Sequence, residues 1–126
     1  MVTTANVWTR RIGGDFCELQ TLNASCRRGD EVVVMETASY GRMRLGTCVV
    51  ADLGFVGCSR DVLAVLDRRC SGRRRCEVRV PDEDLAALRP QPCLTELKSY
   101  LETSYRCQKG QHSIYNYSTL YINRPN

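Results

Sequence analysis

Residues 31–42 read EVVVMETASYGR. The first seven, Glu31 to Thr37, form a β-branched run that follows Arg28-Gly29-Asp30, a turn signal. Side chains branched at Cβ are stiff at χ1 and pack well on a pleated surface, so the run is expected to be a strand. Outward from it, Cys76 to Val80 (CEVRV) alternates apolar with charged residues, as a half-buried strand does. Leu97 to Cys107 (LKSYLETSYRC) has a composition that a helix would tolerate, but its aromatic and hydroxyl residues and its closing cysteine favour a long strand. Between these segments, Val62, Leu63 and Leu66 share one face of an expected helix over Arg60 to Arg69, with Ser59 as its N-cap. A second, short helix is expected from Asp82 to Leu88, after Pro81 and before Pro90, with Asp82, Glu83 and Asp84 supplying its cap and acidic first turn. The expected fold is mainly β (α+β), antiparallel, with one or two short helices.

A chain of 126 residues has room for one compact domain. Aromatics make up only 7% of it and charged residues 25%, so its core is modest and needs further support. Eight cysteines supply that support: Cys17, Cys26, Cys48, Cys58, Cys70, Cys76, Cys93 and Cys107. Structural zinc sites present their cysteines in close pairs, and the nearest pair here, Cys70 and Cys76, has five residues between its members. Four disulfides are therefore expected, with no metal and no cofactor, in an oxidising and hence extracellular compartment. No apolar run is long enough to span a bilayer, so no membrane insertion is expected, and a secretion signal is expected to lie outside this chain. Nucleic acid is not an expected partner in that compartment. The sequons Asn23-Ala24-Ser25 and Asn116-Tyr117-Ser118 make Asn23 and Asn116 candidate glycosylation sites. The cysteines divide the chain into an N-terminal extension (1–16), a framework (17–107) and a tail or linker (108–126). The lone histidine, His112, lies in that tail, and no nucleophile–base or paired-carboxylate arrangement points to an enzyme.

Ala38-Ser39-Tyr40-Gly41-Arg42 resembles the A-N-Y-G-R signature of the galactose/rhamnose-binding lectin domain of sea-urchin egg lectin type, a domain also carried by latrophilins and Eva-type receptors. Cys17-Glu18 resembles its opening C-E, and the loop from Cys70 to Cys76 (CSGRRRC) its C-x-G-x-x-x-C. Pro92-Cys93, Lys98, Tyr100-Leu101 and Tyr105-x-Cys107 resemble its closing motif. The resemblance covers 17–107 in order. It implies a β-sandwich-like domain with a helix and the pairing Cys17–Cys48, Cys26–Cys107, Cys58–Cys93 and Cys70–Cys76. It also implies a sugar site at Glu18, Gln91 and Lys98 near Tyr40, Gly41 and Arg42. Gln91 stands where sugar-binding members carry an aspartate, Thr95 and Glu96 replace a glycine and a threonine, and Ser99 is an added residue. Tyr40-Gly41-Arg42 is also expected to have a structural role: a strand-end turn that requires Gly41, with Arg42 pinning a loop.

A second candidate region is basic. Arg68, Arg69, Arg73, Arg74 and Arg75 surround the small Cys70–Cys76 loop. Their guanidinium forks suit sulfates and carboxylates, hence acidic glycans, while a solvated helix end accounts for them better. Arg28-Gly29-Asp30 spells an adhesion tripeptide, and a simple hairpin turn explains it better. Two functions stay open: a lectin for a galactose- or rhamnose-like or sulfated glycan of the cell surface, or a module of an adhesion or guidance receptor that keeps the scaffold and binds an extracellular protein.

Overall fold

A computed structural model of the chain describes residues 11–110, so Asn116, His112 and most of the tail lie outside the described residues. The elements in chain order are β1 (Ile12–Phe16), β2 (Thr21–Ser25), β3 (Glu31–Arg42), β4 (Cys58–Asp61), α1 (Leu63–Cys70), β5 (Arg75–Arg79), α2 (Glu83–Ala86) and β6 (Tyr100–Lys109). Four strands form an antiparallel sheet in the order β1-β6-β3-β4, and β2 and β5 pair as a separate antiparallel ribbon. The expected mainly β, sandwich-like architecture with two short helices is what forms. Its first strand, β1, lies ahead of the first cysteine and pairs along β6 from Ile12–Tyr105 to Phe16–Leu101.

The long strand β3 carries the core only because it is interrupted. Val33 and Met35 are buried, and a strict period of two would next bury Thr37 and Ser39. The β3–β6 register shifts between Met35 and Thr37, leaving Glu36 as the extra residue of a bulge. Past that point the buried set is Ala38, Tyr40 and Arg42. A one-residue slip exchanges the two faces of a strand, so the bulge keeps one apolar face on both sides of it. The displaced Glu36 carboxylate receives the Arg11 Nε at 3.0 Å and also pairs with Arg106.

The core lies between the sheet, the ribbon and α1. Leu22, Ala24, Val78 and Val80 from the ribbon meet Val33, Met35, Leu101 and Tyr105 from the sheet, with Val62, Leu66 and Leu85 closing the sides. Ser71 and Asp67 are buried and joined to each other, and the Met35 N–H donates to Ser71 Oγ at 3.0 Å, which fixes the end of α1 to β3.

Four local expectations are corrected. Ser59 is not a helix N-cap: it pairs with Gly41 in β4, and α1 begins only after Val62, where Asp61 Oδ1 accepts the Leu63 N–H at 2.8 Å. Pairing with β3 holds residues 58–61 extended and delays the helix. The strand expected from Leu97 starts at Tyr100, because Leu97 closes a turn onto Leu94 and the Lys98 carbonyl is held by Arg42. Arg28-Gly29-Asp30 does turn, with the Glu31 N–H donating to the Arg28 carbonyl at 3.2 Å, but it joins the ribbon to the main sheet rather than two hairpin strands. The second helix is shorter than expected, with Asp82 as its N-cap accepting the Leu85 N–H at 2.9 Å.

All four disulfides join the implied partners: Cys17–Cys48, Cys26–Cys107, Cys58–Cys93 and Cys70–Cys76. Among the described residues the potential metal donors Cys26, Glu31 and Cys107 come together, but both sulfurs belong to a disulfide and offer no thiolate. No helix among the described residues is long and apolar enough to cross a membrane.

Candidate functional site

The strand register gathers the candidate residues at one end of the main sheet. Glu18 lies two residues beyond Phe16, whose partner is Leu101, and Lys98 lies three residues before Leu101 on the other strand. Tyr40 is the partner of the same Leu101, and Arg42 that of Cys58. Cys58 is bonded to Cys93, two residues from Gln91, while Cys17–Cys48 ties the Glu18 turn to the long 43–57 loop. Glu18, Tyr40, Gly41, Arg42, Gln91 and Lys98 are thus brought to one region, but their roles differ.

Gly41 and Arg42 build the site. Gly41 is not a strand-end turn. It lies inside β3 at φ +151°, and a Cβ there would sit 2.4 Å from the Cys58 carbonyl oxygen and 2.7 Å from Ser59 Cα. The close approach of β4 therefore requires glycine. Arg42 is only 5% exposed, and its guanidinium donates to three carbonyls: Nε to Phe55 at 2.9 Å, Nη1 to Lys98 at 3.0 Å and Nη2 to Ala51 at 3.1 Å. It pins the 43–57 loop, as expected, and also the segment carrying Lys98. With its donors facing those carbonyls, it acts by positioning.

Glu18, Tyr40, Gln91 and Lys98 remain as groups able to meet a ligand. Glu18 is half-buried on a turn held by Leu19 N–H donating to the Val80 carbonyl at 2.7 Å, and its carboxylate has no hydrogen-bond partner among the described residues. The Tyr40 ring is buried, and its hydroxyl likewise lacks a partner among the described residues. Burial first, then the Glu18 and Asp82 carboxylates, raise its pKa above the ordinary tyrosine value, so it remains a donor at neutral pH. Gln91 Nε2 lies 3.0–3.2 Å from the carbonyls of Leu85, Ala86 and Leu88, which sets the amide orientation and leaves Oε1 as the open acceptor. Lys98 is exposed, with its ammonium free of ion pairs among the described residues.

Asp82 is the neighbour that the sequence hid. Read as a helix cap, it is one, but it also faces Tyr40 and pairs with Arg69 through its second oxygen. Arg69 reaches Asp84 too, at 3.2 Å, so it does not belong with the free arginines of the basic patch. Nothing in the sequence spacing links residues 40 and 82; the Val80 N–H donating to the Gln20 carbonyl at 2.9 Å brings Asp82 beside the Glu18 turn, whose carboxylate also acts on Tyr40. Of the other patch residues, Arg68, Arg73, Arg74 and Arg75 are exposed and unpaired among the described residues. Asn23 is exposed on β2, opposite Glu77.

A small antiparallel β framework with four disulfides, gathering polar groups on braced loops at one end, defines a binding module. The comparisons give the family. Residues 24–107 match the D-galactoside/L-rhamnose binding SUEL lectin domain. The chain is 33% identical over 91 residues to the L-rhamnose-binding lectin CSL1 of Oncorhynchus keta, covering 68% of this chain and 30% of that protein. It is 30% identical over 96 residues to protein eva-1 homolog C of Homo sapiens, covering 72% of this chain and 21% of that protein, and 31% identical to the Mus musculus homologue. This chain belongs to the SUEL lectin domain family, and it spans less than a third of the length of these relatives.

Proposed function

We propose that this chain is the carbohydrate-recognition domain of a secreted or cell-surface protein and that it holds a galactose- or rhamnose-like sugar at the Glu18–Lys98 end of the main sheet. The observation that carries the reading is the convergence there of an unpaired half-buried carboxylate, an unpaired tyrosine hydroxyl and a free ammonium on loops braced by Arg42. Ring hydroxyls both donate and accept. Glu18 and Gln91 Oε1 accept, Lys98 and Tyr40 donate, and the charged partners make the stronger bonds. Four disulfides suit an extracellular setting.

Titration calorimetry with L-rhamnose, D-galactose and D-glucose tests this. Saturable binding of rhamnose or galactose, absent for glucose and weakened at least about tenfold in Glu18→Ala and in Lys98→Ala, is expected, since each variant loses a charge-assisted hydrogen bond. Binding unchanged in both variants would place the sugar elsewhere.

A second reading, a protein ligand at the same end, is favoured by the apolar side chains of those loops. Leu45, Val50, Leu53, Phe55 and Leu94 are all exposed, Val50 at 85%. A neutral-sugar response absent at millimolar concentration, with an extracellular protein ligand lost on Val50→Asp or Leu53→Asp, would select it over the first.

A further inference from the structure

We infer that Arg27, Arg28, Arg73, Arg74 and Arg75 form a second binding site, for a sulfated polysaccharide, at the end of the domain remote from Glu18 and Lys98. The sequence separates these residues into two clusters about 45 positions apart; the fold joins them. The Cys26 N–H donates to the Arg74 carbonyl at 3.0 Å, the Val33 N–H to the Arg73 carbonyl at 2.7 Å, and Ser25 is the register partner of Arg75. The connection after β2 and the loop before β5 therefore lie side by side. Each is stapled at its root, by Cys26–Cys107 and Cys70–Cys76.

All five arginines are exposed, and none has an ion pair among the described residues. Four other arginines are neutralised: Arg11 and Arg106 pair with Glu36, Arg44 with Glu102, and Arg69 with Asp82 and Asp84. Arg60, Arg68, Arg79 and Arg89 are exposed without an ion pair among the described residues but lie outside the two adjoining loops. The carboxylates near the cluster do not neutralise it. Asp30 faces Lys109 at 4.0 Å, Glu31 lies beside the Cys26–Cys107 bridge, and Glu77 stands opposite Asn23. Five like charges on two adjoining rigid loops repel one another, and an anionic ligand relieves that repulsion.

The chemistry of the cluster selects the ligand. It consists of arginine, whose planar fork binds sulfate bidentately; Lys98 lies at the opposite end, and Lys109, at the cluster's edge, faces Asp30. Of the exposed large apolar side chains, Leu19, Leu45, Val50, Leu53, Phe55 and Leu94 belong to the opposite loops and Ile12 to the edge strand β1, so none lies within the cluster to insert into a lipid surface. Oxidising compartments, which the disulfides imply, hold sulfated polysaccharides and little nucleic acid. Arg73 sits beside Val33, seven residues along β3 from Tyr40, or roughly 23 Å at strand spacing, so both sites can be filled at once.

The test is retention of the chain on immobilised heparin, with solution binding to heparin, dextran sulfate and neutral dextran in 0.05–0.5 M NaCl. Heparin and dextran sulfate are expected to bind, neutral dextran not, and affinity should fall steeply with salt. Arg73→Ala/Arg74→Ala/Arg75→Ala and, separately, Arg27→Ala/Arg28→Ala should each weaken heparin binding, the triple variant by about tenfold or more, given modest exposed ion pairs acting together. Arg11→Ala/Arg44→Ala/Arg89→Ala removes as much charge as the triple variant and should keep most of the affinity. Equal losses in that control would reduce the effect to net charge and overturn the site. So would heparin binding indifferent to both cluster variants, or anionic phosphatidylserine vesicles binding as tightly as heparin. The exposed substitutions leave the core intact, and an unchanged thermal midpoint checks that.

Discussion

Replacing Arg42 by Met keeps most of the side chain's length and apolar stem while removing every donor. The guanidinium makes three bonds, to the carbonyls of Ala51, Phe55 and Lys98, and is almost fully buried. Hydrogen bonds from a charged donor contribute about 1.5–3 kcal/mol each, so the low end gives about 4–5 kcal/mol for the set. Ala51, Phe55 and Lys98 are exposed residues, and water can take over part of the bonding to their carbonyls. Burying a methionine instead of a charge also returns some free energy. A net loss of about 3 kcal/mol is expected, which for a domain of this size lowers the thermal midpoint by roughly 10–20 °C. Calorimetry with the disulfides intact measures it. Limited proteolysis should show earlier cutting between residues 43 and 57, and Arg42→Lys should fall between wild type and Met, because one ammonium cannot span three carbonyls. If Arg42→Met loses less than about 1 kcal/mol and its 43–57 loop resists protease as before, Arg42 does not brace the site.

Gly41→Ala should cost more than about 3 kcal/mol or prevent folding, because its Cβ meets β4 backbone rather than a movable side chain; secretion yield and urea unfolding read this out. Loop-closure entropy ranks the bridges: Cys26→Ser/Cys107→Ser, with a sequence separation of 81, should lose about 4–5 kcal/mol, and Cys70→Ser/Cys76→Ser, with a separation of 6, about 2 kcal/mol, in denaturant titrations of each double variant. Tyr40 holds its proton more tightly folded than unfolded, so its stabilising contribution is complete below the ordinary value of about 10 and declines as pH rises through the higher folded value. Wild type should therefore lose stability more steeply than Tyr40→Phe above pH ~10, and equal slopes would contradict the raised value. Expressed through a eukaryotic secretory route, the protein should lose mass on peptide N-glycosidase treatment, with Asn23→Gln removing the part of the shift due to Asn23, whose strand position is exposed.

What the sequence disclosed divides along physical lines. The strands and helices were legible wherever local chemistry decides them: the β-branched run of β3, the alternation of β5 and the acidic cap at Asp82. Boundaries failed where a tertiary contact overrides propensity. Ser59 is a good N-cap type, yet cross-strand pairing with Gly41 keeps it extended. The bulge at Glu36 has no local signature, because the parity of a strand shows only against its partner. Cysteine pairing was beyond residue-level reading, and the motif order of the family supplied it. In the site, Glu18 and Lys98 are named by motif and Arg42 is expected to pin a loop, but its hold on the Lys98 segment and the two carboxylates beside Tyr40 depend on tertiary contacts that no local pattern encodes.

The disulfides let one small framework carry the two proposed sites. Cys17–Cys48 and Cys58–Cys93 anchor the loops that carry Glu18, Gln91 and the long 43–57 segment, while Cys26–Cys107 and Cys70–Cys76 anchor the arginine loops at the other end of β3. Between them lies the apolar layer of Val33, Met35, Leu66, Val78 and Leu101, which the Tyr40 ring joins while Glu18, Gln91, Lys98 and the exposed arginines stay outside it. A loop rooted in a cystine can change its exposed residues without disturbing that layer, since its ends are fixed covalently and its backbone bonds are made at the root. Gln91 illustrates the freedom: an amide stands where sugar-binding members of the family carry a carboxylate, and its amino group is spent on the carbonyls of Leu85, Ala86 and Leu88. Substitutions at Gln91, Thr95 and Glu96 should therefore shift ligand preference with little effect on unfolding, whereas the same chemical changes at Gly41 or Arg42 should do the reverse.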